Sequence, residues 1–152
     1  MDSINKILDA KSIRLNYGAK DWEDAVRESG RLLVKAGLVD EQYIEALVEM
    51  VHQYSAYMLV AAGIAMPHSH SNKGVRKTGI SYLKLNHPVI FPQKESNPVE
   101  LLIAVAAEND NNHIDAISKV AAILSDEKSM EELKRCNDQE TILSILNGSG
   151  SI

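Results

Sequence analysis

The chain has one cysteine, one tryptophan, one phenylalanine and four prolines in 152 residues. The lone Cys136 excludes an internal disulfide and a paired-cysteine metal site, and it fits a reducing compartment, read here as the cytoplasm. There is no block of Lys or Arg. With 16 basic against 21 acidic side chains the net charge is -5, so the electrostatic footprint of a nucleic-acid binder is missing and no nucleic-acid partner is expected. The longest apolar run, Ala56 to Met66, covers 11 positions and includes Gly63, against the roughly 20 residues that a membrane helix needs. The start, MDSINKILDAKS, has no basic stretch followed by an apolar block, so neither a secretory signal nor membrane insertion is expected.

What is present suffices for one compact domain: 45% of the residues are hydrophobic. Ile4, Ile7 and Leu8 at helical spacing predict a short first helix, and the alternation of Ser12 to Tyr17 predicts a half-buried strand. Asp21 is the expected N-cap of a helix whose apolar face holds Trp22, Val26, Leu33 and Ala36, and Gly37 stops it; Trp22 is read as core. Tyr43, Ile44, Leu47, Val48 and Val51 form the stripe of a helix opening at Asp40 and fading near Ser55.

Strands are expected at Tyr57 to Val60 and Thr78 to Leu85. The nearly all-apolar Val99 to Ala106 (VELLIAVA) reads as a strand buried on both faces at the centre of the sheet. Helical spacing then returns at Ile114, Ile117, Val120, Ala121 and Leu124, and in Met130 to Leu133 and Ile142 to Leu146. Helices and strands interleave without repeats, so the expected fold is α/β, one domain over residues 1–147 with a mixed parallel and antiparallel sheet flanked by helices, and 148–152 as a flexible tail.

The stretch GIAMPHSH, residues 63–70, sets an apolar run directly against two histidines. A neutral imidazole is a nucleophile that can carry a phosphoryl group, provided the ring is held still with one nitrogen open and donors wait for the oxygens. His68 fits: Ile64, Ala65 and Met66 anchor its approach and Pro67 fixes its own φ just before it. Ser69, Ser71, Asn72 and Gly74 offer hydroxyl, amide and backbone donors, and Lys73, Arg76 and Lys77 add positive charge. Two other readings stay open: an edge histidine held by ordinary hydrogen bonds, and a zinc site in which His68 and His70, two apart on one strand face, are joined by His113.

A second constellation, Glu108 to His113 (ENDNNH), follows the central strand and leads into a helix, where Asn111 or Asn112 is the expected N-cap. Ligands of open α/β sheets bind beyond strand carboxyl ends, so His68 and His113 are expected to share one crevice. His87, before Pro88, is placed in a turn without chemistry; His52 lies late in a helix and is able to face the site.

The chain resembles the IIA components of the bacterial sugar phosphotransferase system (PTS) of the mannitol/fructose-type superfamily, and most closely the ascorbate-specific branch. The residues that carry the likeness are KSIRL at 11–15, WEDAV at 22–26, LLV at 32–34, GIAMPH at 63–68, KTG at 77–79, NPVELLI at 97–103 and NNH ending at His113. The resemblance implies a phosphocarrier in which His68 takes a phosphoryl group from the carrier HPr, as a tele-phosphohistidine, and passes it to a cysteine of a IIB component. A membrane IIC component is then served indirectly, no cofactor or metal is required, and His113 stabilises the phosphoryl group.

Two departures stand out. Ser69 replaces the glycine that usually follows the phosphorylated histidine, and Met50-Val-His-Gln53 stands where an Arg-Glu pair is usual, leaving donor duty to His52, His70, His113 or the loop. An apolar docking surface is expected from Met50, Tyr54, Tyr57 and Met58. A regulatory protein on the same fold, acting through its phosphorylation state, is the alternative, beside a zinc-binding hydrolase or module.

Overall fold

The structure is a computed structural model that describes residues 7–69, 73–92 and 98–147, with Ala56 and Tyr57 described in backbone only. Six strands and five helices lie among these residues: β1 Leu8–Tyr17, α1 Trp22–Lys35, α2 Gln42–Met58, β2 Leu59–Ala61, β3 Ile64–Ala65, β4 Gly79–Val89, β5 Val99–Leu102, β6 Val105–Ala106, α3 Asp110–Ser125, α4 Glu127–Arg135 and α5 Gln139–Leu146. The sheet order is β1-β4-β5-β3-β2, with β6 also pairing β4. β1 with β4 and β3 with β5 are parallel, and the other pairs are antiparallel, so the mixed α/β sheet is as expected.

The VELLIAVA segment explains how the sheet is covered on both sides. Leu101, Ile103 and Val105 face one core with Ala116, Val120 and Leu124 of α3, Leu133 of α4 and Ile142 and Leu146 of α5. Leu102, Ala104 and Ala106 face a second core with Val26 and Leu33 of α1 and Tyr43, Leu47 and Val51 of α2. Strand alternation separates the two sets, and from Leu101 onward every position of the run is apolar and buried, with Glu100 its one exposed polar residue. The segment is central, as read, but is divided into β5 and β6 around Ile103 and Ala104.

The helix starts obey their caps. Asp21 Oδ1 accepts the Asp24 backbone N–H at 2.9 Å, and Asp126 and Asp138 cap α4 and α5 in the same way. Gly37, with φ 79°, takes the left-handed conformation that ends α1.

Several expectations need correction. Leu8 opens β1, paired with Ile80, instead of continuing a helix, while Ile4 lies outside the described residues. Asp9 and Ser12 make this strand: Asp9 Oδ1 accepts the Lys11 N–H, and the Ser12 hydroxyl reaches the Ile80 carbonyl through a register shift, so Ser12 is buried where the alternation favoured Ile13. The third helix opens at Gln42, two residues after Asp40. It breaks at Tyr54 (φ -132°, ψ 41°), then resumes to Met58, which replaces the start of the strand expected from Tyr57. His87 and Pro88 lie within β4 instead of a turn. The β1 pairing ends at Tyr17 opposite Leu85, so the missing N–H of Pro88 interrupts no ladder on that side. The tail at 148–152 lies outside the described residues.

Tyr82 in β4 is fully buried, and its hydroxyl has no hydrogen-bond partner among the described residues. Burial raises its pKa, with Cys136 adding to the effect. A buried unmade hydrogen bond costs stability, so Tyr82→Phe is expected to raise the unfolding free energy by about 1 kcal/mol. Denaturant titration of the two proteins checks this, with the midpoint moving up in the variant at unchanged slope.

Candidate active site

His68 stands at the end of a strand extension that is held from both sides. Ile103 N–H donates to the Ala65 carbonyl at 2.8 Å, Met66 N–H to the Met58 carbonyl at 2.7 Å, and Val105 N–H to the Pro67 carbonyl at 2.9 Å. The turn that starts this segment needs Gly63, whose φ is 79° and whose missing Cβ leaves room for the Glu100 side chain at 3.3 Å. Met66 itself is buried in the core under α3. The apolar approach to His68 is therefore a fixed platform.

The ring is fixed as well. His68 Nδ1 lies 2.8 Å from the Met66 carbonyl oxygen. A carbonyl only accepts, so Nδ1 carries the proton, and in the neutral ring the lone pair sits on Nε2.

The His113 ring lies 5.2 Å from that of His68, centroid to centroid, with the planes inclined by 56°. His113 belongs to the first turn of α3, its N–H bonded to the Asn109 carbonyl. The cap is Asn109, two or three residues earlier than expected. Its extended backbone (φ -155°) and a side chain accepting the Asn112 N–H satisfy the helix start, and this draws His113 inside the helix. Thr78 steadies the approach to α3: its hydroxyl donates to the Glu108 carboxylate at 3.3 Å and accepts the Glu108 N–H at 3.1 Å. Gly79 beside it has no room for a Cβ, which would meet a Leu38 methyl at 2.6 Å and the Ile7 carbonyl at 3.1 Å.

Of the other expected residues, Ser69 is buried directly after His68. His52 is exposed on α2 and stacks on Trp22, with ring centroids 6.2 Å apart and planes 25° apart, so its described ring contact is with α1 instead of with His68. Trp22 also meets Phe91 and packs on the core, as read. Lys73, Arg76 and Lys77 are exposed on a loop tied to the α1–α2 connection, where the Leu38 carbonyl accepts the N–H groups of Arg76 and Lys77. His70, Ser71 and Asn72 lie outside the described residues. Among the described residues no three of His, Cys, Asp and Glu are grouped to hold a metal ion.

The docking expectation changes. Met58 is fully buried and its carbonyl serves Met66; Met50 packs on the core; Tyr54 is 44% exposed; the Tyr57 side chain is outside the described set. Sequence reasoning missed Ile114, which is 60% exposed immediately after His113. Helical spacing assigned it to the core stripe, whereas the buried face of α3 runs through Ala116, Val120 and Leu124 and leaves Ile114 outside it.

It missed Tyr43 too. Its hydroxyl donates to the Val105 carbonyl at 2.8 Å and receives the backbone N–H of Ser69, and burial pushes its pKa up to about 12 against the opposing pull of that N–H.

Fold and geometry together describe an α/β protein in which two histidine rings meet beyond the ends of β3 and β6. Residues 6–149 match the family model for the phosphoenolpyruvate-dependent sugar phosphotransferase system, EIIA 2, and the chain belongs to that family. It is thus a component of a phosphotransferase. The ascorbate-specific PTS system EIIA component of Shigella boydii is 33% identical over 144 residues, which cover 94% of each chain. The solved mannitol-specific cryptic phosphotransferase enzyme IIA CmtB of Escherichia coli superposes with a TM-score of 0.81 at 28% identity, covering 97% of this chain and 99% of that one. The Escherichia coli mannitol IIA solved in complex with phosphorylated mannitol IIB gives 0.76 at 29% identity, with 92% and 96% covered. No helix among the described residues is long and apolar enough to cross a membrane.

Proposed function

We propose that this chain is the phosphocarrier of an ascorbate-type uptake system, with His68 Nε2 as the atom that carries the phosphoryl group. The observation that carries this reading is the 2.8 Å contact between Nδ1 and the Met66 carbonyl, which leaves the Nε2 lone pair as the nucleophile. In the first step that lone pair attacks the phosphorus of phospho-HPr in line. The N–P bond of the donor breaks and its electron pair returns to the donor histidine. In the second step a IIB cysteine thiolate attacks the same phosphorus, and His68 leaves with its electron pair as a neutral imidazole. The proton stays on Nδ1, hydrogen-bonded to the Met66 carbonyl throughout, so neither step needs a proton transfer at His68.

The bound phosphoryl group brings about -1.5 to -2 charge, and His113, its ring 5.2 Å from that of His68, is the proposed donor to it, aided by the positive end of α3. Ser69 is a candidate second donor; His52 and His70 keep that role only as expectations. Catalysis then rests on positioning and charge stabilisation. Ascorbate as the sugar rests on the 33% identity to the ascorbate-specific relative, and the cytoplasmic site of action on the partners this role requires.

Intact-mass spectrometry at neutral to mildly alkaline pH, after incubation with phosphoenolpyruvate, enzyme I and HPr, tests the proposal. One acid-labile phosphate per chain is expected; none, with the donors active on a control IIA protein, would refute it.

Ile114 is the proposed apolar anchor at which both partners dock. An interface anchor is worth more than about 1 kcal/mol, so Ile114→Glu is expected to raise the HPr concentration at half-maximal rate by about tenfold. The maximal single-turnover rate should hold, because the residue touches the partner and not the phosphoryl group.

A further inference from the structure

Tyr43 comes from α2, well away in sequence from both histidines, and is buried to 1% exposure. Its hydroxyl closes a ring of hydrogen bonds around His68. On the N-terminal flank the Pro67 carbonyl accepts the Val105 N–H at 2.9 Å. On the C-terminal flank the Ser69 N–H donates to the Tyr43 oxygen, which donates in turn to the Val105 carbonyl at 2.8 Å. Both neighbours of His68 are thereby fastened to one residue of β6, and β6 runs on through Glu108 and the Asn109 cap to His113. The N-terminal fastening is backbone to backbone and survives any side-chain change. The C-terminal one depends on a single phenol oxygen.

We propose that Tyr43 is a positioning residue for phosphoryl transfer, bracing His68 against β6 through the Ser69 N–H and so setting its placement relative to His113. The inference rests on the phosphocarrier reading for its kinetic consequence, but the brace has a signature that needs no phosphate. Removing the hydroxyl leaves the ring in the core and frees the backbone just after the nucleophile. Small misplacements at a reacting centre cost rate more than binding.

The test is Tyr43→Phe in the full chain, beside Tyr82→Phe, which removes another buried hydroxyl from the protein but none that touches the site. Rapid-quench single turnover from phospho-HPr is expected to slow by about tenfold at saturating donor in Tyr43→Phe, with the half-saturating concentration unchanged, and to hold in Tyr82→Phe. In the unphosphorylated proteins, Tyr43→Phe should shift the Ser69 amide resonance and alter the ring titration curves of His68 and His113. In the wild type, the Ser69 amide should resist hydrogen exchange although it lies outside any strand.

A wild-type maximal rate with unmoved histidine titrations in Tyr43→Phe overturns the brace while leaving the phosphocarrier reading intact. So does a rapidly exchanging Ser69 amide in the wild type. Failure of the wild type to take phosphate overturns the phosphocarrier reading instead, and the amide and imidazole signals then decide on the brace alone.

Discussion

His68→Ala is expected to take up no phosphate and to pass none to IIB. The loss follows from the proposed role of His68: with Nδ1 engaged by the Met66 carbonyl at 2.8 Å, Nε2 is the ring nitrogen assigned to carry the phosphoryl group. The neighbouring ring, His113, is rooted in the first turn of α3 and has no strand extension behind it to present it to a docking partner. Covalent catalysis with its nucleophile deleted leaves no shorter route, so the transfer rate should fall below the limit of a rapid-quench assay. Stability should change little, because His68 is only half-buried and its ring bond is local. Thermal unfolding of the variant beside the wild type separates lost chemistry from a lost fold.

His113→Ala is expected to behave differently: still phosphorylated, but slowly. The ring, 5.2 Å from that of His68, is the proposed donor to the phosphoryl oxygens, and removing one preorganised donor of that kind costs about 10²-fold to 10³-fold in rate. Both half-reactions share the same transferring group. Transfer in from phospho-HPr and transfer out to IIB should therefore slow by similar factors, with docking concentrations unchanged. Rapid-quench measurements in the two directions check it, and a variant that slows only one of them would move His113 from the phosphoryl group to a partner's surface.

How much of this was legible in the sequence varies with the length scale of the cause. The VELLIAVA run announced a strand covered on both faces because successive apolar residues put one on each side of the sheet, and the structure covers Leu101 to Ala106 with two cores. GIAMPH located the rigid approach to His68 for a similar local reason: a turn glycine, three core residues and a proline act within six positions. Local rules failed where a distant partner decides. Leu8 is strand because Ile80, from β4, pairs with it, and Met58 is buried because it packs in the core that α1, α2 and the sheet build together. Asn109 wins the cap over Asn111 and Asn112 because the chain leaving β6 reaches its extended conformation there first, a choice among like residues that composition cannot make.

The site shows the same division. His68 and its pairing with His113 were readable from the motifs and from the rule that ligands sit beyond strand ends. Tyr43 was not, since its stripe of apolar neighbours is what any core helix shows and its hydroxyl acts 62 positions away. His52, a candidate by its place on the helix before the site, is stacked on Trp22, a contact that depends on how α1 crosses α2.

The measurement that bears most directly on the central claim is a long-range proton–nitrogen spectrum of the phosphorylated protein with labelled histidine. The account predicts phosphorus on His68 Nε2, with Nδ1 still protonated and bonded to the Met66 carbonyl. Phosphorus on Nδ1 of that ring, or on His113, would contradict it.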